Sequence, residues 1–146
     1  MGNILTAITA IVGNSLNLSG DTPGQIQNRV NQVGAVLEDY IKNAFADCVG
    51  KDQRTINSQR NTTFSYLGNN TNPPDAMLNG SDAIEIKKVE SAKNTLQLNS
   101  SFPKNKLYSS NPKISCKCKD CEKWDTKDMI YVVGHVQNSI LHNIIF

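Results

Sequence analysis

Apolar residues recur at helical spacing over the first third of the chain. Ile4, Leu5, Ile8, Ile11, Val12 and Leu16 share one side of a 3.6-residue repeat, which predicts an amphipathic helix within residues 1–22. Gly20-Asp21-Thr22-Pro23-Gly24 breaks the pattern and offers Asp21 or Thr22 as the next N-cap. A longer stripe follows: Ile26, Val30, Val33, Leu37, Tyr40 or Ile41, and Ala44 or Phe45. It predicts a core helix over residues 23–47. Glu38 stands one residue off that stripe. Its carboxylate either looks into a cleft at the edge of the buried face or pairs with Lys42 one turn on. Cys48-Val49-Gly50 ends the helix, and the polar residues 51–62 read as a loop.

Beyond that loop the period shortens to two. Thr63-Phe64-Ser65-Tyr66-Leu67 is a short strand closed by Gly68. The stretch from Pro73 to Lys88 reads as a β-hairpin turning at Asn79-Gly80, because Gly takes positive φ freely and Asn tolerates it. A two-residue loop sets Asp75 opposite Ile84, and a three-residue loop sets it opposite Glu85. Both registers bring the Asp75 and Glu85 carboxylates near each other, since cross-strand and diagonal neighbours are about 5–8 Å apart. Alternation puts Glu85 and Lys87 on one face and Ile84 and Ile86 on the other. Residues 63–90 are therefore the candidate catalytic strands. Met129-Ile130-Tyr131-Val132-Val133-Gly134 is a continuous apolar run, expected of a central strand buried on both faces. Gln137-Asn138-Ser139 turns the chain into Ile140–Phe146, and residues 128–146 are expected to supply core strands.

Composition changes this picture in one respect. The 146 residues suit a single domain, and their net charge of +2 is small. Its distribution is uneven: residues 1–86 hold 5 basic and 8 acidic side chains, residues 87–146 hold 10 basic and 5 acidic, and all ten of those bases are lysine. The excess begins at the hairpin and continues through residues 91–127, a Ser-, Asn- and Lys-rich basic loop that carries a cysteine cluster. Such a surface suits phosphate contacts. Asn99, Ser100, Ser101, Lys104 and Lys106, interleaved with Phe102 and Tyr108, are the candidate DNA-binding residues. No apolar run is long enough to span a membrane, and no basic segment precedes the first apolar residues as in a secretory signal. The expected compartment is cytoplasmic.

Two constellations carry candidate chemistry. Asp75 and Glu85, with water and a phosphate oxygen, form a hard-oxygen site suited to Mg²⁺, which keeps several of its waters. Such an ion polarises a phosphodiester, and Lys87 beside it can orient water or offset developing charge. Pro74-Asp75 with Glu85-Ile86-Lys87 resembles the PD-(D/E)xK nuclease signature. The second constellation is Cys116, Cys118 and Cys121. Three thiolates at this density could hold Zn²⁺ if Cys48, His135 or His142 supplied a fourth ligand, although none has the usual spacing. Reduced, unliganded thiols are the alternative.

Four blocks in order resemble one family. They are Asn28–Gly34 with Leu37–Lys42; Pro73-Pro74-Asp75 with Asp82–Ser91; Leu98–Lys104 with Lys106–Tyr108; and the Cys-x-Cys segment leading to Asp128–Gly134. Together they resemble the N-terminal half of a type II restriction endonuclease of the NgoPII family. The resemblance implies an α/β fold, a restriction-endonuclease-like mixed sheet with helices on its faces, and Mg²⁺-dependent hydrolysis of double-stranded DNA at GGCC. It also implies a cognate methyltransferase in the same restriction–modification system, and cleavage of both strands at a palindrome goes with a homodimer of the complete protein. Carried over by position, it makes Asp75 and Glu85 metal ligands, Lys87 the catalytic lysine and Glu38 an accessory acid. Because Ile144-Ile145-Phe146 falls inside a predicted strand, the fold is expected to be incomplete at the C-terminus.

Three readings follow. A site-specific endonuclease predicts divalent-metal binding that depends on Asp75 and Glu85. A non-catalytic DNA-binding module organised by zinc predicts stoichiometric zinc and indifference to Glu85→Gln. An inactive fragment that needs a partner chain predicts aggregation through an unpaired strand edge.

Overall fold

The structure, a computed structural model, describes residues 2–14, 29–91, 105–138 and 140–146. Helix α1 spans Ile4–Gly13, with Asn3 as N-cap accepting from the Thr6 N–H at 3.0 Å. Its buried residues are Ala7 and Ala10, small enough to let it lie close to its neighbour. Helix α2 spans Arg29–Phe45. Leu37, Tyr40, Ile41, Ala44 and Phe45 are buried and Val33 packs against them, so this part of the expected stripe is the helix's core face. The Tyr40 hydroxyl donates to the Asn14 carbonyl at 2.7 Å and ties the end of α1 to α2.

Residues read as a loop form helix α3, Gln53–Thr63. The stretch is polar nearly all round, so hydrophobic spacing does not reveal it. Its start is fixed by Asp52, whose Oδ1 accepts from the N–H groups of Arg54 and Thr55 at 3.0 and 3.1 Å. Its far end is docked by Arg60, which donates from Nε to Asn43 Oδ1 at 2.9 Å and from Nη2 to Asp39 Oδ1 at 3.0 Å on α2.

Strands β1 (Phe64–Tyr66), β2 (Ala76–Leu78), β3 (Ala83–Val89), β4 (Lys106–Tyr108), β5 (Thr126–Gln137) and β6 (Ile140–Ile145) form one mixed sheet, with a short helix α4 (Cys116–Asp120) between β4 and β5. The order is β1-β2-β3-β5-β4, and β6 also pairs with β5. The β3–β5 pair is parallel and the other pairs are antiparallel. This is the expected α/β class. β4 lies in a stretch that shows no strand periodicity, because three residues are too few to display one.

Alternation divides the sheet into two faces. Ala76, Leu78, Ile84 and Val132 join α1 and α2 in the larger core, with Ile86 and Ile130 packed against it. Gly134 lies on this face where Leu37 crosses: a Cβ there would stand 2.6 Å from Leu37 Cδ2. Met77, Ala83 and Met129 face the other way, into a smaller cluster with Tyr66, Leu107, Ile114 and Cys118. β5 is therefore not buried on both faces. Val132 and Val136 are buried, while Tyr131, Val133 and His135 are half-buried. On β6, Leu141 and Ile144 pack against the larger core, while Ile140 and Ile145 are 49% and 65% exposed.

Candidate active site

The hairpin register settles the choice left open by the sequence. Ala76 pairs with Ile84 and Met77 with Ala83, which sets Asp75 opposite Glu85 and leaves Asn79-Gly80-Ser81 as a three-residue loop. Ser81 N–H donates to the Leu78 carbonyl at 3.1 Å. Gly80 takes φ +68 at the third turn position, as a type II turn requires.

At the base of the hairpin, Asp75 lies just before β2, where the strand ladder stops. Its Oδ2 accepts from the Ile86 N–H at 2.6 Å, so the carboxylate caps a ladder position that β2 leaves open. Glu85 is 5% exposed, and its Oε1 accepts from Lys87 Nζ at 2.6 Å. The hairpin thus gathers Asp75, Glu85 and Lys87, while Ile84 and Ile86 face the larger core. Burial, and next the Glu85 charge, push the Asp75 carboxyl up to about 6; the Ile86 hydrogen bond and Lys87 act in the opposite direction. Glu38 adds to the upward push, which places its charge within electrostatic reach of Asp75.

Glu38 forms the ion pair with Lys42 one turn on that the sequence allowed. Lys42 is a buried residue that sequence reasoning treated only as Glu38's partner. Its Nζ also donates to the Leu67 carbonyl at 2.9 Å, fixing the link from β1 to β2 against α2. In that link Gly68, at φ +78, lies so close to Asp75 that a Cβ would come within 2.3 Å of the Asp75 carbonyl oxygen. Tyr131 stands opposite Glu85 on β5, and burial and then the Glu85 charge raise its phenol pKa. No local pattern announces this neighbour, which follows from the β3–β5 register.

The other candidates fare differently. Asn99, Ser100, Ser101 and Lys104 lie outside the described residues. Lys106 opens β4, two strands away from β3, and its Nζ pairs with Asp128 Oδ1 at 2.7 Å across the β4–β5 ladder. Cys116, Cys118 and Cys121 are not gathered into a zinc site. Cys116 is exposed on α4. Cys118 is buried, with Sγ 3.2 Å from Met77 Sδ, and Cys121 Sγ donates to the Cys118 carbonyl. Burial raises the Cys118 thiol to about 12, so it stays protonated at neutral pH. Residues two apart on a helix point to nearly opposite sides, so density in sequence did not become convergence in space. Cys48 is buried beside Asn43 on α2. Among the described residues, no three or more His, Cys, Asp or Glu side chains are grouped to hold a metal ion.

Residues 2–146 match the model of the NgoPII restriction endonuclease family. The type II restriction enzyme NgoPII of Neisseria gonorrhoeae is 45% identical over 134 residues, covering 92% of this chain and 48% of that enzyme. The chain spans about half the length of this curated relative. No solved structure matches it.

Proposed function

The chain belongs to the NgoPII restriction endonuclease family, and from that premise we propose that it serves as a type II site-specific deoxyribonuclease, hydrolysing phosphodiesters of double-stranded DNA with Mg²⁺. The observation that carries the reading is the meeting of Asp75, Glu85 and Lys87 at the hairpin base. Asp75, whose proton affinity is raised by burial and by the Glu85 charge beside it, forms with Glu85 a donor set that favours a hard divalent cation. Mg²⁺, which retains much of its water, needs no more than two such protein ligands. When bound, the ion would supply Lewis acidity toward the phosphate.

The chain's own groups divide the remaining work. Asp75 and Glu85 hold the cation. Lys87, about a quarter exposed at its side chain, can donate from Nζ to a phosphate oxygen and offset charge as phosphorus accepts the water oxygen and the bond to the leaving sugar oxygen breaks. Glu38, with Lys42 neutralising it, adds negative charge beside Asp75 and serves as an accessory acid. The GGCC site, a homodimer that matches a palindrome by two-fold symmetry, and a protecting methyltransferase complete the proposal. No helix of the described residues is long and apolar enough to cross a membrane.

Plasmid cleavage with Mg²⁺ tests this, comparing the chain with Lys87→Ala. Discrete fragments from the first and a loss of about 100-fold or more in the second are expected. Equal cleavage by both, or fragments that persist without a divalent ion, would overturn it.

A further inference from the structure

The sheet holds a second convergence, away from the hairpin. The chain has two histidines in all, and the fold brings them together. His135 on β5 and His142 on β6 have ring centroids 5.6 Å apart, with planes inclined by 35°. The contact depends on an irregularity in strand pairing. Val133↔Ile145, Gly134↔Ile144 and His135↔Asn143 run in one register, and Val136↔Leu141 and Gln137↔Ile140 run in another. The shift makes His142 the extra residue of a bulge opposite His135. Strict alternation would have sent it to the opposite face from Asn143, and a bulge re-aims a side chain in this way.

The surroundings of His135 supply the second observation. Both of its ring nitrogens are buried, and neither has a hydrogen-bond partner among the described residues. A neutral imidazole carries one N–H and one lone pair, and leaving both buried and unmatched forfeits the hydration each would have in water. A buried polar group of this kind calls for a specific ligand. Two imidazoles bound at about 2.0–2.1 Å to one tetrahedral ion have ring centroids roughly 5–6 Å apart, which is the spacing found here.

We propose that His135 and His142 bind a borderline transition-metal ion such as Zn²⁺ or Ni²⁺, with water completing its coordination. Imidazole suits these ions, whereas Mg²⁺ prefers oxygen, so this ion is distinct from the one assigned to Asp75 and Glu85. The pairs Glu85↔Tyr131, Lys87↔Val133 and Val89↔His135 put the histidines on the same face as the carboxylates. They stand four residues further along β5 than Tyr131, about 13 Å at the usual strand rise, too far to share an ion. His142 is exposed and gives the ion its approach. Bound there, it clips the edge strand β6 to β5 and stabilises the folded chain by mass action. The site stands whether or not the chain cuts DNA.

Titration with Co²⁺ tests the assignment, because Co²⁺ shows its ligands by absorption. Thiolate ligands add an intense near-ultraviolet charge-transfer band and imidazoles do not, so the four free cysteines are distinguished from the histidines. One equivalent should bind without that band and raise the melting temperature. His135→Ala and His142→Ala should each weaken binding about tenfold or more. His142 is exposed, so its variant keeps the fold, which circular dichroism checks. Unchanged affinity in His142→Ala, a thiolate band, or no binding up to millimolar Co²⁺ would overturn the proposal.

Discussion

The two ends of the β2–β3 hairpin handle charge in opposite ways. At the tip, Lys127 on β5 is 6% exposed and fully engaged. Its Nζ donates to the carbonyls of Leu78 at 3.2 Å and Ser81 at 2.5 Å, and it forms an ion pair with Glu122, whose Oε2 accepts from the Gly80 N–H at 2.9 Å. The Asn79 N–H donates to the Thr63 carbonyl, so the turn is held from two directions. At the base, Asp75 and Glu85 crowd together with Glu38 nearby, and Lys87 offsets only part of their charge. The tip is arranged for stability. The base keeps like charges together at the expense of stability, as expected where a cation is to be held.

The largest effect should come from unpairing the tip. Lys127→Met leaves Glu122 and two turn carbonyls without their cation and is expected to destabilise the fold by about 3–5 kcal/mol in urea melts. Adding Glu122→Gln should recover part of that loss. A Lys127→Met variant as stable as the parent would remove the distinction between the two ends.

The base should respond in the other direction. Between the ordinary value of 3.8 and about 6, folded Asp75 retains a proton that the unfolded chain releases. Its favourable contribution is therefore fully present below 3.8, falls as pH rises through about 6, and stays lost above it. Asp75→Asn keeps an acceptor for the Ile86 N–H and removes the charge. It should stabilise the chain at pH 8 by on the order of 1–2 kcal/mol, with the difference fading toward pH 3.5. Paired melts at the two pH values check this, and a gain that is independent of pH would contradict the assignment. Lys106→Ala marks the small end of the scale. Its pair with Asp128 is exposed on both sides, and the melting temperature should move by no more than about 2 °C.

How far the sequence foretold this depends on whether the forces involved are local. The Asn79-Gly80 turn, the alternation of Ile84, Glu85, Ile86 and Lys87, and the stripe from Val33 to Phe45 are short-range patterns, and all are found in the fold. The three-residue register needed the structure, because both loop lengths suit Asn-Gly. α3 was missed since capping by Asp52 and docking by Arg60 hold a helix with little apolar periodicity. The Glu122–Lys127 clamp joins residues some forty positions from the turn they hold, and no local pattern announces such a contact. The cysteines show the reverse: their density is plain in the sequence, but Cys116 and Cys118, two apart on α4, point to nearly opposite sides.

Mn²⁺ titration followed by paramagnetic broadening of amide resonances, at pH 8 and pH 5, tests the hairpin base most directly. The amides of Asp75, Glu85 and Ile86 should broaden first at pH 8. Broadening should weaken at pH 5, below the raised Asp75 value of about 6, and be lost in Glu85→Gln. Broadening that starts elsewhere, or that persists unchanged in Glu85→Gln, would contradict the claim that the hairpin base is the cation site.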